Sequence, residues 1–418
     1  MFALTVASIS LLAILSYKFT KSPFHPAVLF CSFWATDLLF LWLAGDFFYR
    51  VHAQSLLIEV FGAFAFCAGS FLASWHKPKP DKPSDSSNKL ITLGAWIVAF
   101  SIPVYVKWLI NLVADRGMAQ TFLMAVRQST IEIQGTGLAA NLFGLLVSFS
   151  MVLAMIAFRQ KEGHRFRCYV AVVSAFLICF LTATKGGPIF LLAGLMYIHW
   201  RNTGKLSIKA LTVTALVMLS VVAAIEFYVH VNGDSFSDSV MPVARSAALY
   251  VSGPIVAFDE ITENPNIVPD FNAPYDVSKR IVNKFFGTHL QVSGKIPTFL
   301  TIGPFGLESN TYGFYAWWFT FGAVEAVAAA ALFGFLLTLV FIRAQHCGAV
   351  SVILYASLVP GICLMPYMDY ISSIWVNCFT AGMAWAVYYL PRKLSAWRDL
   401  VRWSVARDIT ASQKQLHN

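Results

Sequence analysis

The chain has 418 residues, 58% of them hydrophobic and only 12% charged, with a mean hydropathy of +0.65 and a formal net charge of +9. A soluble globular protein carries about 25% charged residues, so soluble, disordered and coiled-coil organisations are excluded. A net positive charge would point to nucleic acid in a soluble domain, but in a membrane protein Lys and Arg collect in cytoplasmic loops, so the charge has to be mapped before it is interpreted.

A membrane-crossing helix needs about 20 apolar residues. Taken in chain order, the apolar runs predict spans over 2–17, 26–44, 56–74, 90–112, 138–158, 168–184, 188–200, 210–229, 319–342, 350–367 and 372–390. The first is read as a retained span, because Lys18 and Lys21 follow the apolar run, whereas a signal peptide carries its basic residues before it. The seven cysteines fall almost entirely within apolar runs, which implies neither a disulfide framework nor a cysteine metal site. The expected fold is therefore all-α: one polytopic transmembrane domain over 1–418 with about eleven spans.

The basic residues orient these spans. If the hydrophilic segment 76–89 is internal, alternation also puts 18–25, 159–167, 201–209, 343–349 and the C-terminal tail inside, and these segments hold 20 of the 30 Lys and Arg residues. That excess fits the positive-inside rule, with the N-terminus outside and the C-terminus inside, and it removes the case for a nucleic-acid partner. The other ten, Arg50, Lys107, Arg116, Arg127, Lys185, Arg245, Lys279, Arg280, Lys284 and Lys295, lie on or near the external side.

Most of those ten fall in two external loops, an amphipathic one over 113–137 and a long one over 230–318. Within the second, 243–258 is nearly as apolar as a span but contains Gly253–Pro254, which predicts a broken, interfacial or re-entrant segment. A loop that returns to the lipid surface suits a lipid-linked substrate.

The chain has no nucleotide-binding glycine loop ending in Lys-Ser/Thr, no HExxH, no GxSxG and no DxD pair, so neither a metal nor a cofactor is expected. External cations at headgroup level remain, and a phosphate or pyrophosphate there needs fixed positive charge, which Arg supplies bidentately. Arg127, Arg245 and Arg280 are the candidates. Arg127 ends an amphipathic stretch, 117–128, with an apolar stripe at Met118, Phe122, Leu123 and Val126. Lys185 tips the hairpin between 168–184 and the 13-residue run 188–200; that run covers about 20 Å of a core about 30 Å thick, which would set Lys185 in a recess. His289, flanked by Lys284 and Lys295, is the candidate general base for a hydroxyl. Of the acids, Glu59 and Glu226 are expected near span ends and Asp37 and Glu325 at depth, where carboxylates can relay protons.

Four segments carry a resemblance to a known family. The first is Lys21-Ser22-Pro23-Phe24-His25-Pro26 running on to Phe30 and Trp34. The second is TATKGGPIFLL over 182–192, with Lys185 where the family pattern has Arg. The third is LYVSGPIVAFDEI over 249–261, and the fourth NTYGFYAWWFTFGAVEA over 310–326, with Thr320 where the pattern has Asp. With these segments and this architecture the chain resembles the Wzy-type polymerases of O-antigen and oligosaccharide repeat units in bacterial inner membranes.

The resemblance implies that the 230–318 loop is periplasmic and part of the catalytic region. It implies transfer of a growing glycan from undecaprenyl pyrophosphate to a sugar hydroxyl of the next lipid-linked repeat unit, with no cofactor. Its implied partners are the lipid-linked oligosaccharide donor and acceptor, membrane lipid and a chain-length regulator protein. On this reading His289, Arg280 and Arg245 are catalytic, while Arg127, Lys185, Tyr250, Asn310 and Tyr312 bind substrate. An O-antigen ligase would share this architecture; a lipid-linked-oligosaccharide flippase or other transporter, the alternative of a different class, would be expected to show internal repeats and more polar residues at the midplane.

Overall fold

A computed structural model of the chain describes residues 1–76, 78, 88–114, 138–160, 165–181, 186–206, 212, 220, 236–264, 267, 279, 282–283, 286–290, 299–304, 306–346, 348–368 and 377–389. For 236–248 and Tyr250 it describes the backbone alone. The described residues fold as helices: α1 Phe2–Thr20, α2 Pro26–Leu43, α3 Ala53–Ser74, α4 Asn88–Ala114, α5 Leu138–Arg159, α6 Arg165–Leu181, α7 Gly186–Thr203 and α8 Phe236–Glu263. An antiparallel hairpin, β1 Leu300–Gly303 and β2 Leu307–Ser309, precedes α9 Gly313–Phe319, α10 Ala323–His346 and α11 Ala349–Cys363, and residues 377–389 are again helical.

Six of these helices, α1 to α5 and α10, have stretches long and apolar enough to cross a membrane. Their outward faces carry Leu4, Phe19, Phe100 and Val324, each more than 70% exposed. A water-soluble fold does not leave an apolar surface of this kind around its helices, whereas a lipid-embedded one requires it. The chain is an all-α, membrane-embedded protein.

Two bundles meet. In one, α3 packs along α10 and is flanked by α1 and α2; in the other, α4, α5, α6 and α7 pack together, and α11 bridges the two through α7, α10, α2 and α5. The α3–α10 contact is a close approach of backbones. A methyl group added at Gly69 would overlap the Ala331 carbonyl, one added at Gly334 would overlap the Phe66 carbonyl, and the Ser70 hydroxyl donates to the Gly334 carbonyl at 3.1 Å. Small residues permit this approach, and packing at such contacts substitutes for the hydrophobic effect that lipid cannot supply.

The first of the four resemblance segments acts as a helix stop and start. Lys21 takes a left-handed conformation and its N–H donates to the Tyr17 carbonyl at 2.7 Å, closing α1. Pro26 occupies the first turn of α2, and Nδ1 of His25 accepts the Ala27 N–H at 3.3 Å. Burial pushes the His25 imidazole down to about 4, so it caps as a neutral ring. The Tyr355 hydroxyl donates to the Phe24 carbonyl, and the Phe24 ring packs on Tyr197 and Trp200 near the end of α7.

These contacts gather the ends of α1, α3, α5, α7 and α10 at one end of the molecule. Arg201 there donates to the Gln345 carbonyl at 2.6 Å, and Asn202 to the Arg159 carbonyl at 3.5 Å. Lys18, Lys21, Arg159, Arg201 and Arg343 all belong to this end, and the opposite end holds the start of α3, the hairpin and the C-terminal part of α8.

Three expectations need correction. The run predicted as 188–200 is part of an 18-residue helix, long enough at about 27 Å to cross most of the apolar core, so it gives no support to a recess at Lys185. The apolar count stopped at Trp200 because Arg201 is charged, although the helical backbone continues past it. Second, α8 runs unbroken through Gly253–Pro254. Proline removes one backbone donor, but the helix is held from outside: Ile255, Val256, Ala257 and Phe258 are all about 1% exposed or less. Its C-terminal half is a buried core helix, not a segment lying on lipid. Third, Glu325 stands exposed in the first turn of α10 and not at depth, while Glu59, near the start of its span as expected, is 1% exposed.

Candidate functional site

The end of the bundle opposite the basic one is built around Asp259. The connection between α2 and α3, after a single turn at Gly45–Phe47, docks on the hairpin: the Tyr49 N–H donates to the Ile302 carbonyl at 2.9 Å. This docking brings His52 and the start of α3 against the last turns of α8. Gly253 allows α8 to lie close to the same hairpin, since a Cβ there would stand 2.9 Å from Cδ1 of Ile302.

Asp259 is 3% exposed and its two oxygens are divided between donors. Oδ1 accepts the backbone N–H of His52 at 3.0 Å and the hydroxyl of Ser55, and Oδ2 meets Nδ1 of His52 at 2.8 Å. The carboxylate thus caps α3 from a different helix, where the helix dipole favours negative charge. The Thr262 hydroxyl donates to the Asp259 carbonyl at 2.8 Å. Oε1 of Glu263 lies 3.0 Å from the same Nδ1, and Glu260, half-buried, follows Asp259 directly.

The hydrogen bond from Asp259, and then its charge together with those of Glu263 and Glu260, raises the His52 pKa above the ordinary histidine range. Glu260 is also pushed up, first by loss of hydration and then by its carboxylate neighbours. For His52 the sign follows from linkage. The pair stabilises the folded protein fully below the unfolded histidine value of about 6.5, and this contribution is lost as pH rises through the raised folded value. The docking of α3 on α8 should therefore loosen on the alkaline side. Protection of the 52–58 amides, taken relative to their intrinsic exchange rates at each pH, should fall there in the wild type, and His52→Gln should abolish that fall.

With Nδ1 committed to carboxylates, the other ring nitrogen, Nε2, is left for an external group, and the His52 side chain is 56% exposed. Arg50, exposed, stands two residues before it. Parts of three of the four resemblance segments meet behind this rim. Trp34 packs on Tyr315 with ring centres 4.9 Å apart, and Phe258 packs on Tyr315 at 6.0 Å. The N–H groups of Gly313 and Phe314, opening α9, donate to the carbonyls of Tyr367 and Met365. Of the second segment, Gly186 to Leu192 begins α7 and Lys185 lies outside the described residues.

Of the residues singled out from sequence, Arg127 and Arg280 also lie outside the described residues. Arg245 and Tyr250 fall on α8, where the backbone alone is described. Asn310 is half-buried just past β2, and Tyr312 is 4% exposed at the start of α9, so these two sit beside the hairpin that docks the His52 loop. His289 is exposed on a turn held by Asn283, whose Oδ1 accepts the Leu290 N–H and the Thr288 hydroxyl, each at 2.8 Å. No described contact joins His289 to Asn310, Tyr312 or His52. Among the described residues no group of three His, Cys, Asp or Glu side chains could hold a metal ion. Cys31 and Cys67 are free thiols with sulfurs 3.5 Å apart.

His52 and Asp259 were not picked out by motif reasoning. The available signals were slight: a histidine three residues ahead of Ser55 at a helix start, and an Asp-Glu-x-x-Glu sequence closing the third resemblance segment. Comparison with protein-family models, curated proteins and solved structures gives no match to this chain. Fold and site thus define a helical membrane protein with a carboxylate-held histidine at the rim of its bundle.

Proposed function

We propose that the chain is a Wzy-type glycan polymerase, acting at the periplasmic face of a bacterial inner membrane on undecaprenyl-pyrophosphate-linked repeat units. The observation that carries this reading is the His52–Asp259 pair, at the end of the bundle where segments 249–261 and 310–326 meet Trp34 of the first. Nε2 of His52 accepts the proton of the acceptor sugar hydroxyl, and that oxygen attacks the anomeric carbon of the donor. The bond from the anomeric carbon to the pyrophosphate oxygen breaks, and the lipid pyrophosphate leaves with the electron pair. Asp259 holds the imidazole in the tautomer and orientation this requires.

The leaving group needs fixed positive charge. Arg50 stands at the rim, and Arg127, Arg245, Arg280 and Lys185 are the further cations proposed for it. Asn310 and Tyr312, beside the hairpin, are proposed to face the acceptor, with Tyr250 on the neighbouring helix. His52 takes the role of base in preference to His289, because its ring is oriented by a buried carboxylate. A chain-length regulator protein remains the expected partner, and eleven spans with the N-terminus outside the expected topology.

Since the base must be neutral, chain extension should rise with pH through the raised His52 value, and Asp259→Asn should move that rise to lower pH. A pH–rate profile with lipid-linked repeat units measures both. A strain lacking the protein should carry one repeat unit per lipid core and lose its long-chain ladder. Complete loss of glycan from the core would instead indicate a ligase or a flippase.

A further inference from the structure

Behind the rim, one turn and a half into the bundle, stands a carboxyl group that the transfer reaction does not use. Glu59 lies on α3 six residues after its start and is 1% exposed, and neither of its oxygens has a hydrogen-bond partner among the described residues. Around it are other buried polar atoms in the same condition. The Tyr315 hydroxyl packs directly on Gly62, one turn along α3 from Glu59, and it and the indole nitrogen of Trp34 are likewise buried without partners among the described residues. Native interiors leave few such groups unpaired, and an ionised carboxylate with no partner inside lipid-embedded helices is strongly disfavoured.

The surroundings deepen this. Asp37, half-buried on α2, and Asp259 on α8 are the two carboxyls close enough to act on Glu59 electrostatically. Among the described residues, Tyr315 of α9 is close enough to act on Glu59 and on Cys31 of α2 and Cys67 further along α3, and Glu260 and Glu263 follow Asp259 at the rim. On α10, Glu325 is exposed at the same end, and the opposite end of that helix carries Arg343 and His346. On α1, Tyr17 and Lys18 lie at the far end. Among the described residues, Arg50 and, when protonated, His52 are cations beside Asp259 at the rim, and Lys107 lies near the rim end of α4. Negative charge on either neighbour disfavours ionisation of Glu59, and positive charge gained by His52 offsets it and favours release.

We propose that Glu59 is a proton-binding site inside the bundle: a neutral carboxylic acid that exchanges its proton with the external face through the Asp259–His52 pair. Tyr315 and Asp37 line the path, and uptake of a proton at His52 is linked to release at Glu59. The site exists without any glycan bound, so it stands or falls separately from the polymerase reading.

The test uses the full-length protein in lipid nanodiscs and dicyclohexylcarbodiimide, an apolar reagent that forms a stable adduct only with a protonated carboxyl in apolar surroundings. Mass spectrometry of the wild type should find the adduct on Glu59, declining about tenfold per pH unit once the group ionises. Glu59→Gln, which keeps the shape, should carry none, and Asp259→Asn should shift the decline to lower pH because a repelling charge is gone. No adduct on Glu59, or an adduct independent of pH, would overturn the proposal. So would protection by sodium at constant pH, which would make this a metal-cation site. Labelling is read on the wild-type chain, so a variant that fails to fold leaves the test intact.

Discussion

Replacing His52 with alanine should lower chain extension by about 10²–10⁴-fold, the range a positioned general base contributes, while the protein still accumulates in the membrane. The ring is more than half exposed, so its removal leaves no buried cavity. The carboxylate of Asp259 keeps two of its three donors, the N–H of residue 52 and the Ser55 hydroxyl, and so the start of α3 stays capped. The loss should be read as a shortened glycan ladder in a complemented deletion strain, with protein level followed in parallel. Asp259→Ala should cost activity and stability together, because it uncaps α3 and frees the ring at once. That contrast separates a base from a positioning residue. If His52→Ala restores a full ladder, the proton acceptor lies elsewhere and His289 becomes the next residue to replace.

The largest stability effect should come from Gly334→Ala. A single methyl group there would overlap the backbone carbonyl of Phe66, and backbone cannot turn aside as a side-chain tip can. The helices α3 and α10 must therefore separate, weakening the contact of Ser70 with the Gly334 carbonyl and loosening the packing of Ala330 and Leu337, all buried. Overpacking of this kind costs about 1–3 kcal/mol. A thermal melt in detergent measures it as a lowered Tm. Gly69→Ala meets the Ala331 carbonyl in the same interface, and so the two substitutions together should cost less than their sum: once the helices have parted, the second methyl group finds room. An unchanged Tm for both would mean that the α3–α10 contact is not a tight one.

The sequence made the helices legible where length and hydropathy alone decide them. The expected spans over 2–17, 26–44, 90–112 and 138–158 differ from α1, α2, α4 and α5 by a few residues at most, because an apolar run of that length must become a helix in lipid. Local reading failed where neighbours settle the outcome. Gly253–Pro254 reads as a break, yet α8 continues because the buried residues around it are packed from every side. Glu59 reads as a residue near a span end, and it does lie there, but α8 and α9 cover it. The active-site candidate was the least legible of all. His52 and Asp259 are 207 positions apart, and no periodicity or motif marks two residues that meet only after α8 has docked against the start of α3. The cations left outside the six basic segments were legible as a set by charge mapping, but their grouping is a matter of tertiary placement.

The central claim is that an oriented imidazole at the rim of this bundle drives glycan transfer between lipid carriers. Its most direct measurement is extension of lipid-linked repeat units by the purified full-length chain in liposomes, wild type against His52→Ala. The account predicts a ladder of products from the wild type without nucleotide or added metal, and unextended substrate from the variant. Equal ladders from the two proteins, or movement of the lipid-linked sugar across the bilayer with no lengthening by either, would contradict it.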